Sequence, residues 1–173
     1  MDAERFQELY RAFFPKVYAY VAYRIGRTQD AEDVVSDVFT RVVQHIGEFR
    51  GQSESAFAAW IFRIARNAIA DFFRRNGSVL EVWDELEEFH DDATPPEGLI
   101  VQSEDARLIR QLIGTLSPRR QQVILLKFFA GLRNREIAAV LDLDERSVAS
   151  HLCRGLESLH QRYKAVETSD ETG

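Results

Sequence analysis

The sequence predicts an all-α protein of two small helical domains, an N-terminal bundle and a C-terminal helix-turn-helix domain, joined by an acidic linker. Three observations predict it. The apolar residues of the first block advance by steps of three and one, and none shows the period of two that strands require. A segment without a single basic residue, broken by Pro95-Pro96-Glu97-Gly98, divides the chain. The last block holds a short helix, a tight turn and a longer helix with a regular apolar seam.

The first domain is expected over residues 1–76 and carries three apolar stripes. The first runs Phe6, Leu9, Tyr10, Phe13, Phe14, Val17, Tyr18, Val21. Pro15 lies inside it and should kink that helix or open a second one. The next stripe runs Ala31, Val34, Val35, Val38, Phe39, Val42, Val43, Ile46. Thr28 can cap its helix, and Asp30, Glu32 and Asp33 suit the positive end of the helix dipole. The last stripe runs Phe57, Trp60, Ile61, Ile64, Ala65, Ala68, Ile69, Phe72, Phe73, with Ser53 or Ser55 as cap. Three or four such helices make a bundle.

Residues 77–106 form the linker. Val79, Leu80, Val82, Trp83, Leu86 and Phe89 fall at helical spacing among acidic residues, so a short amphipathic helix is expected over 79–90. The second domain, 107–164, reads as four helices. Leu108, Ile109, Leu112, Ile113 and Leu116 mark the first. Ser117-Pro118 starts the next, and Gly131 can end it in a left-handed cap. Asn134 caps a short helix, Leu141-Asp142-Leu143-Asp144 turns, and Asp144 caps a last helix with Val148, Leu152, Leu156 and Leu159 inward. An acidic tail occupies 165–173.

Apolar residues make up 45% of the 173 residues, enough for packed cores. No run reaches the roughly 18 apolar residues of a membrane span. The acidic N-terminus lacks the features of a secretory signal. The lone cysteine, Cys153, cannot form an intrachain disulfide, so a cytoplasmic protein without membrane insertion is expected. The net charge of −6 is unevenly spread: residues 1–76 carry +1, 77–106 carry −10, 107–164 carry +6 and 165–173 carry −3. A basic C-terminal block thus follows an acidic connector.

The helix-turn-helix pattern is the strongest local signal. The major groove admits one helix and displays a full donor and acceptor code. The last helix offers Arg146, Ser147, Ala149, Ser150, Cys153 and Arg154 on its outer face. Arg119, Arg120, Lys127, Arg133 and Arg135 can neutralise phosphates nearby. An ordinary helical hairpin with a solvated basic face is the plain alternative.

A second signal lies at 47–75. A polar loop (Gly47, Arg50, Gly51, Gln52, Ser53) precedes a helix whose outer face carries Arg63, Arg66, Asn67, Arg74 and Arg75. Phe49, Phe57 and Trp60 lie close by. Cations that track a backbone and rings that stack on bases suit single-stranded DNA, although Phe57 and Trp60 read first as core. The middle helix exposes Asp33, Asp37, Arg41 and Gln44, a face that by itself looks merely solvated.

Together these parts resemble the extracytoplasmic-function sigma factors, the small two-domain class of bacterial RNA polymerase sigma factors. The resemblance covers about 5–163. It is carried by DAEDVVSDVF at 30–39, FAAWIFRIARNAIADFFRR at 57–75, LSPRRQQVILLKFFAGL at 116–132 and REIAAVLDLDERSVASHLCRGLESL at 135–159, in that order.

The resemblance implies that core polymerase and promoter DNA are the partners. Asp33 and Asp37, with Arg41 and Gln44 on the same face, would meet the clamp of the largest subunit. The loop at 50–55, with Arg50, Gln52 and Ser53, would hold the non-template strand of the −10 element together with Arg63, Arg66, Asn67, Arg74 and Arg75. The second domain would read the −35 element, with Ser150 and Arg154 on matching positions and Arg119, Arg135, Arg146, Ser147, Ala149 and Cys153 around them. The linker would thread into the polymerase interior, its charge mimicking nucleic acid. Such factors are commonly restrained by an anti-sigma protein, for which Leu80, Trp83, Leu86 and Phe89 are a candidate surface; domain packing is the other use for that stripe.

The chain departs from the family at several places. Ser36-Asp37 stands where Gln-Glu is usual, which shortens the reach to the clamp. Asp142 replaces a glycine, and aspartate tolerates a left-handed turn better than most residues. Ala149, Glu157 and Ser158 leave the recognition helix less basic than usual, which predicts weaker phosphate grip and an unusual −35 preference.

Energies bear on the partner. Unstacking a base costs a few kcal/mol, and one aromatic stack returns roughly 1–3 kcal/mol. A few contacts on a small domain therefore cannot melt several base pairs without a polymerase. The linker spans at most ~100 Å extended. Promoter elements about 25 base pairs apart are separated by about 85 Å, so the reach suffices.

Two rivals stand beside this. A stand-alone helix-turn-helix regulator of the response-regulator output type would bind DNA unaided, but leaves the Asn67 helix and acidic linker without a task. An enzyme built on the acidic cluster at 81–92 with His90 lacks ligand spacing. No phosphate loop, nucleophile motif or paired catalytic geometry occurs, so no catalysis, cofactor, metal or small-molecule substrate is expected. Cys153 could sense oxidants; a half-exposed structural thiol is the plainer reading.

Overall fold

The structure, a computed structural model, describes residues 3–76 and 104–170. The helix expected over 79–90 and most of the linker lie outside the described residues. Within them there are seven helices and no strand: α1 (Ala3–Ile25), α2 (Thr28–His45), α3 (Glu54–Arg75), α4 (Glu104–Gly114), α5 (Pro118–Phe128), α6 (Asn134–Leu141) and α7 (Glu145–Asp170). The all-α reading holds.

The first three helices pack on one another as a bundle. Phe13, Val17 and Val21 of α1 meet Val34, Val38 and Val42 of α2 and Phe57, Ile61 and Ala65 of α3, all buried. The expected stripes therefore form the core except at Tyr10 and Val43, which are exposed and border a groove between α1 and α2 on the surface. Pro15, however, neither ends α1 nor opens a second helix. The amide it lacks would have served the Arg11 carbonyl, on a turn exposed at Arg11, Ala12 and Pro15, where water reaches it.

Two capping expectations are corrected. Only Gly26, at φ 82°, and Arg27 lie between α1 and α2, so Thr28 is already helical and Arg27 takes the cap position without a side-chain hydrogen bond. Likewise Asn134 lies inside α6 and Arg133 holds its cap position. There Glu136, nearly buried, accepts the Arg133 N–H at 2.6 Å. The Asn134 Oδ1 accepts from Lys127 Nζ at 3.0 Å and so ties α5 to α6. Ser117 holds the cap position of α5 without a side-chain bond.

Other expectations hold. The Ser53 hydroxyl accepts the Ala56 N–H at 3.1 Å and caps α3. Gly131 adopts φ 68° just past α5, where the Leu132 N–H reaches back to the Leu126 carbonyl. Asp142 turns the chain at φ 55°, ψ 47°, the left-handed conformation that the family's glycine would supply. Asp144 accepts the Ser147 N–H at 2.8 Å and caps α7.

In the second domain α5 and α6 pack on α7 around Val123, Ile124, Leu126, Ile137, Leu141 and Val148. The expected inward seam of α7 is wrong at Leu156, which is 41% exposed. Its neighbour Gly155 is the buried residue: a Cβ there would stand 3.3 Å from Ile124, so the bare backbone of α7 seats against α5.

Candidate nucleic-acid interfaces

Two faces carry the residues singled out from the sequence. On α7, Arg146, Ala149, Ser150, Cys153 and Arg154 are all exposed. Asp144 fixes where that helix begins. Ser147 belongs to the same stretch, but its hydroxyl donates to Asp144 Oδ2 at 2.8 Å, so it works as a capping partner. His151 is half-buried beside this face. Burial and the charges of Arg119, Arg120 and Arg154 hold its imidazole below the usual histidine range, so it is neutral at neutral pH. Arg135 is exposed at the start of α6, and Arg119 is partly buried at the start of α5.

The second face lies on α3 and the loop before it. Phe57 is core, 2% exposed. Trp60 is only partly buried; it sits 5.0 Å from Phe49 and 5.7 Å from Phe57, ring centre to ring centre. Gly51 tucks beneath Phe49 so closely that a Cβ would lie 2.3 Å from the ring. Arg50 and Gln52 are exposed on this loop. Beside the aromatic group opens a pocket of about 330 Å³ lined by Arg41, His45, Glu48, Trp60, Ile64 and Asn67. His45 and Glu48 had no signal in the sequence; they arrive because the end of α2 folds beside the middle of α3.

The arginines of this face are differently engaged. Arg74 Nη1 lies 2.8 Å from Asp71, and the Arg75 Nε donates to the Asp71 carbonyl at 3.3 Å. Arg63 donates to the Ala139 carbonyl and Arg66 to the Val140 carbonyl, both on α6. Periodicity gave no hint of either contact.

On α2, Asp33 is exposed, while Asp37 and Arg41 form an ion pair at 2.8 Å. Arg41 also reaches Asp71 of α3. Gln44 borders an apolar groove with Tyr10, Phe14, Phe39 and Val43. The four residues expected to face polymerase thus share α2, two of them tied into its packing against α3.

Among the described residues no helix is long and apolar enough to cross a membrane.

Comparisons with known proteins agree with this architecture. Residues 9–79 match the Sigma-70 region 2 family, and residues 106–159 match the Sigma-70, region 4 family. The chain is 31% identical over 159 residues to the ECF RNA polymerase sigma factor BldN of Streptomyces coelicolor, spanning 91% of this chain and 60% of that protein. It is 28% identical over 169 residues to the ECF RNA polymerase sigma factor SigX of Bacillus subtilis, spanning 94% of this chain and 86% of that one. Its fold is similar to the sigma factor RpoE of Bartonella quintana, solved with the anti-sigma factor NepR, at a TM-score of 0.69 and 22% identity over 94% of this chain and 98% of that one. A second neighbour in fold is CnrH, solved with the cytosolic domain of CnrY, at a TM-score of 0.61 and 22% identity over 95% of this chain and 90% of that one. With both matched regions in order on a fold of this kind, the chain belongs to the extracytoplasmic-function family of RNA polymerase sigma factors.

Proposed function

We propose that this chain binds bacterial core RNA polymerase and directs initiation at promoters. Residues 1–76 dock on the polymerase and hold the melted −10 strand, residues 107–164 read the −35 duplex, and residues 77–106 connect them. The exposed face of α2, centred on Asp33 and Asp37, is the docking surface. Arg146, Ser150 and Arg154 on α7 face the major groove.

The observation that carries the −10 assignment is the pocket between Trp60 and Asn67. An unstacked base needs an aromatic or apolar wall and polar groups for its edge. Trp60 and Ile64 supply the wall, Asn67 and His45 supply donors and acceptors, and Arg41 lines the same pocket as a cation.

The chain contributes binding and positioning; the polymerase makes the phosphodiester bonds. Its place is accordingly the cytoplasm, with no cofactor of its own. The neighbour in fold solved with the anti-sigma factor NepR supports an anti-sigma factor as a further partner.

The test mixes the purified chain with core polymerase, fractionates by size, and maps starts on a genomic DNA library. Co-migration with promoter-specific starts is expected. DNA binding by the chain alone, with no binding to core, would overturn the reading in favour of a stand-alone regulator.

A further inference from the structure

The pocket beside Trp60 has a polar rim with a definite hydrogen-bonding sense. His45, the last residue of α2, sets its imidazole Nδ1 3.0 Å from the Arg41 carbonyl. A carbonyl oxygen only accepts, so Nδ1 carries the hydrogen of that bond. In the neutral ring Nε2 then keeps its lone pair and is an acceptor. The Glu48 N–H donates to the His45 carbonyl at 2.9 Å, and the turn it closes brings both side chains to the same pocket. A carboxylate accepts only.

The other polar groups of the pocket do not offset this. Arg41 would be the natural donor, but its Nε donates to Asp37 at 3.2 Å, its Nη2 lies 2.8 Å from Asp37 and its Nη1 2.9 Å from Asp71. Each of its three nitrogens already faces a carboxylate. Asn67 carries both a donor and an acceptor and can turn either to a base, so it adds strength without choice. The two groups that discriminate, His45 and Glu48, are both acceptors.

We propose that His45 and Glu48 select the base taken into the pocket, admitting one with an exocyclic amino group and refusing thymine. The proposal rests on the assignment of this pocket to the melted −10 strand. The amino group of cytosine, adenine or guanine offers two N–H donors to the two acceptors. Thymine has no amino group, and its carbonyl oxygens would face the Glu48 carboxylate lone pair against lone pair. A site built to accept a hydrogen bond rejects a ligand that lacks the donor, because its own polar groups are left unpaired. His45 and Glu48 are both exposed, so water takes up part of that loss and the discrimination is about tenfold.

The test uses the complex of the full chain with core polymerase and a single-stranded DNA 12-mer pool of randomised sequence, with the bound strands sequenced. Thymine should be depleted about tenfold at one position. The double variant His45→Gln with Glu48→Gln, whose amides can donate to a carbonyl, should bring thymine near parity at that position and no other. The base side supplies an independent check that needs no variant. Replacing adenine there by purine, which lacks the amino group, should weaken binding to the parent complex about tenfold and leave binding to the double variant unchanged.

A parent complex that binds the pool yet takes thymine as readily at every position overturns the proposal and leaves the −10 assignment standing. Depletion that persists in the double variant, or an equal loss with purine in both proteins, also overturns it. A parent complex that binds no strand at all overturns the −10 assignment and the proposal with it.

Discussion

Arg41 of α2 and Asp71 of α3 lie 2.9 Å apart, each side chain about one-third exposed. Asp37 holds the other side of Arg41 and Arg74 the other side of Asp71, so four charges run unbroken from the α2 face to the end of α3. Burial opposes charge on Asp71, but Arg41 and Arg74 outweigh it and hold the carboxyl below the usual range. A carboxyl with a lowered folded pKa stabilises the fold at neutral pH, and that contribution is lost as pH falls below about 4. Asp71→Asn should cost about 1 kcal/mol in urea unfolding at neutral pH, since pairs this exposed are screened. The gap between parent and variant should narrow progressively as pH falls below about 4; an equal gap at neutral and acid pH would contradict this.

Asn67 lines the pocket beside Trp60 and is exposed. Asn67→Ala should leave thermal stability and binding to core unchanged. Strand binding by the polymerase complex should weaken by about fivefold to tenfold, the worth of a net hydrogen bond of ~1 kcal/mol. Unchanged strand affinity would remove Asn67 from the site.

Gly51 has no room for a side chain: its Cβ would meet the Phe49 ring at 2.3 Å and the Ala56 Cβ at 2.8 Å. Gly51→Ala should displace Phe49 from Trp60 and destabilise the domain by about 1–3 kcal/mol, the usual cost of overpacking. Calorimetry should show a melting temperature lower by several degrees, with weaker strand binding. A variant that melts with the parent would show that the loop adjusts freely.

His151 carries a folded pKa below its ordinary value, through burial first and then Arg119, Arg120 and Arg154. The unfolded chain therefore takes up its proton at higher pH. The stabilising contribution of neutral His151 is complete above about pH 6.5 and declines as pH falls below it. His151→Gln should flatten that part of the stability curve. Phosphates placed on the three arginines would relieve the repulsion, so binding of a −35 duplex should be accompanied by proton uptake, measurable by titration calorimetry in buffers of different ionisation enthalpy. Absence of uptake would place the phosphates elsewhere.

Much of the fold was legible because it depends on local rules. The three stripes of the first domain, the left-handed Asp142, and the Asp144 cap follow from periodicity and backbone preference. Thr28 and Asn134 were misread by one position. Such shifts depend on how tightly the preceding turn closes, as at Gly26, and on a more distant partner, as with Lys127. Leu156 looked inward because a helical seam continues by pattern, whereas the close seat of Gly155 on α5 decides which way α7 faces. For the candidate site, exposure was legible in the pattern, as with Arg146, Ser150 and Arg154. It was not legible at His45, Glu48 or Asp71, or where α6 meets α3, because partners distant in sequence leave no periodic trace.

Ala139 and Val140 touch the arginines of α3 through main-chain oxygens alone. Such atoms are the same whatever side chains surround them, provided the helix stops at the same place, which the left-handed Asp142 ensures. The join between α3 and α6 is therefore indifferent to changes in the exposed side chains of α7. A C-terminal domain from another family member, grafted behind this linker, would present the same two oxygens to the same two arginines. The outer face of α7 and the join between the two domains are therefore free to change independently of each other.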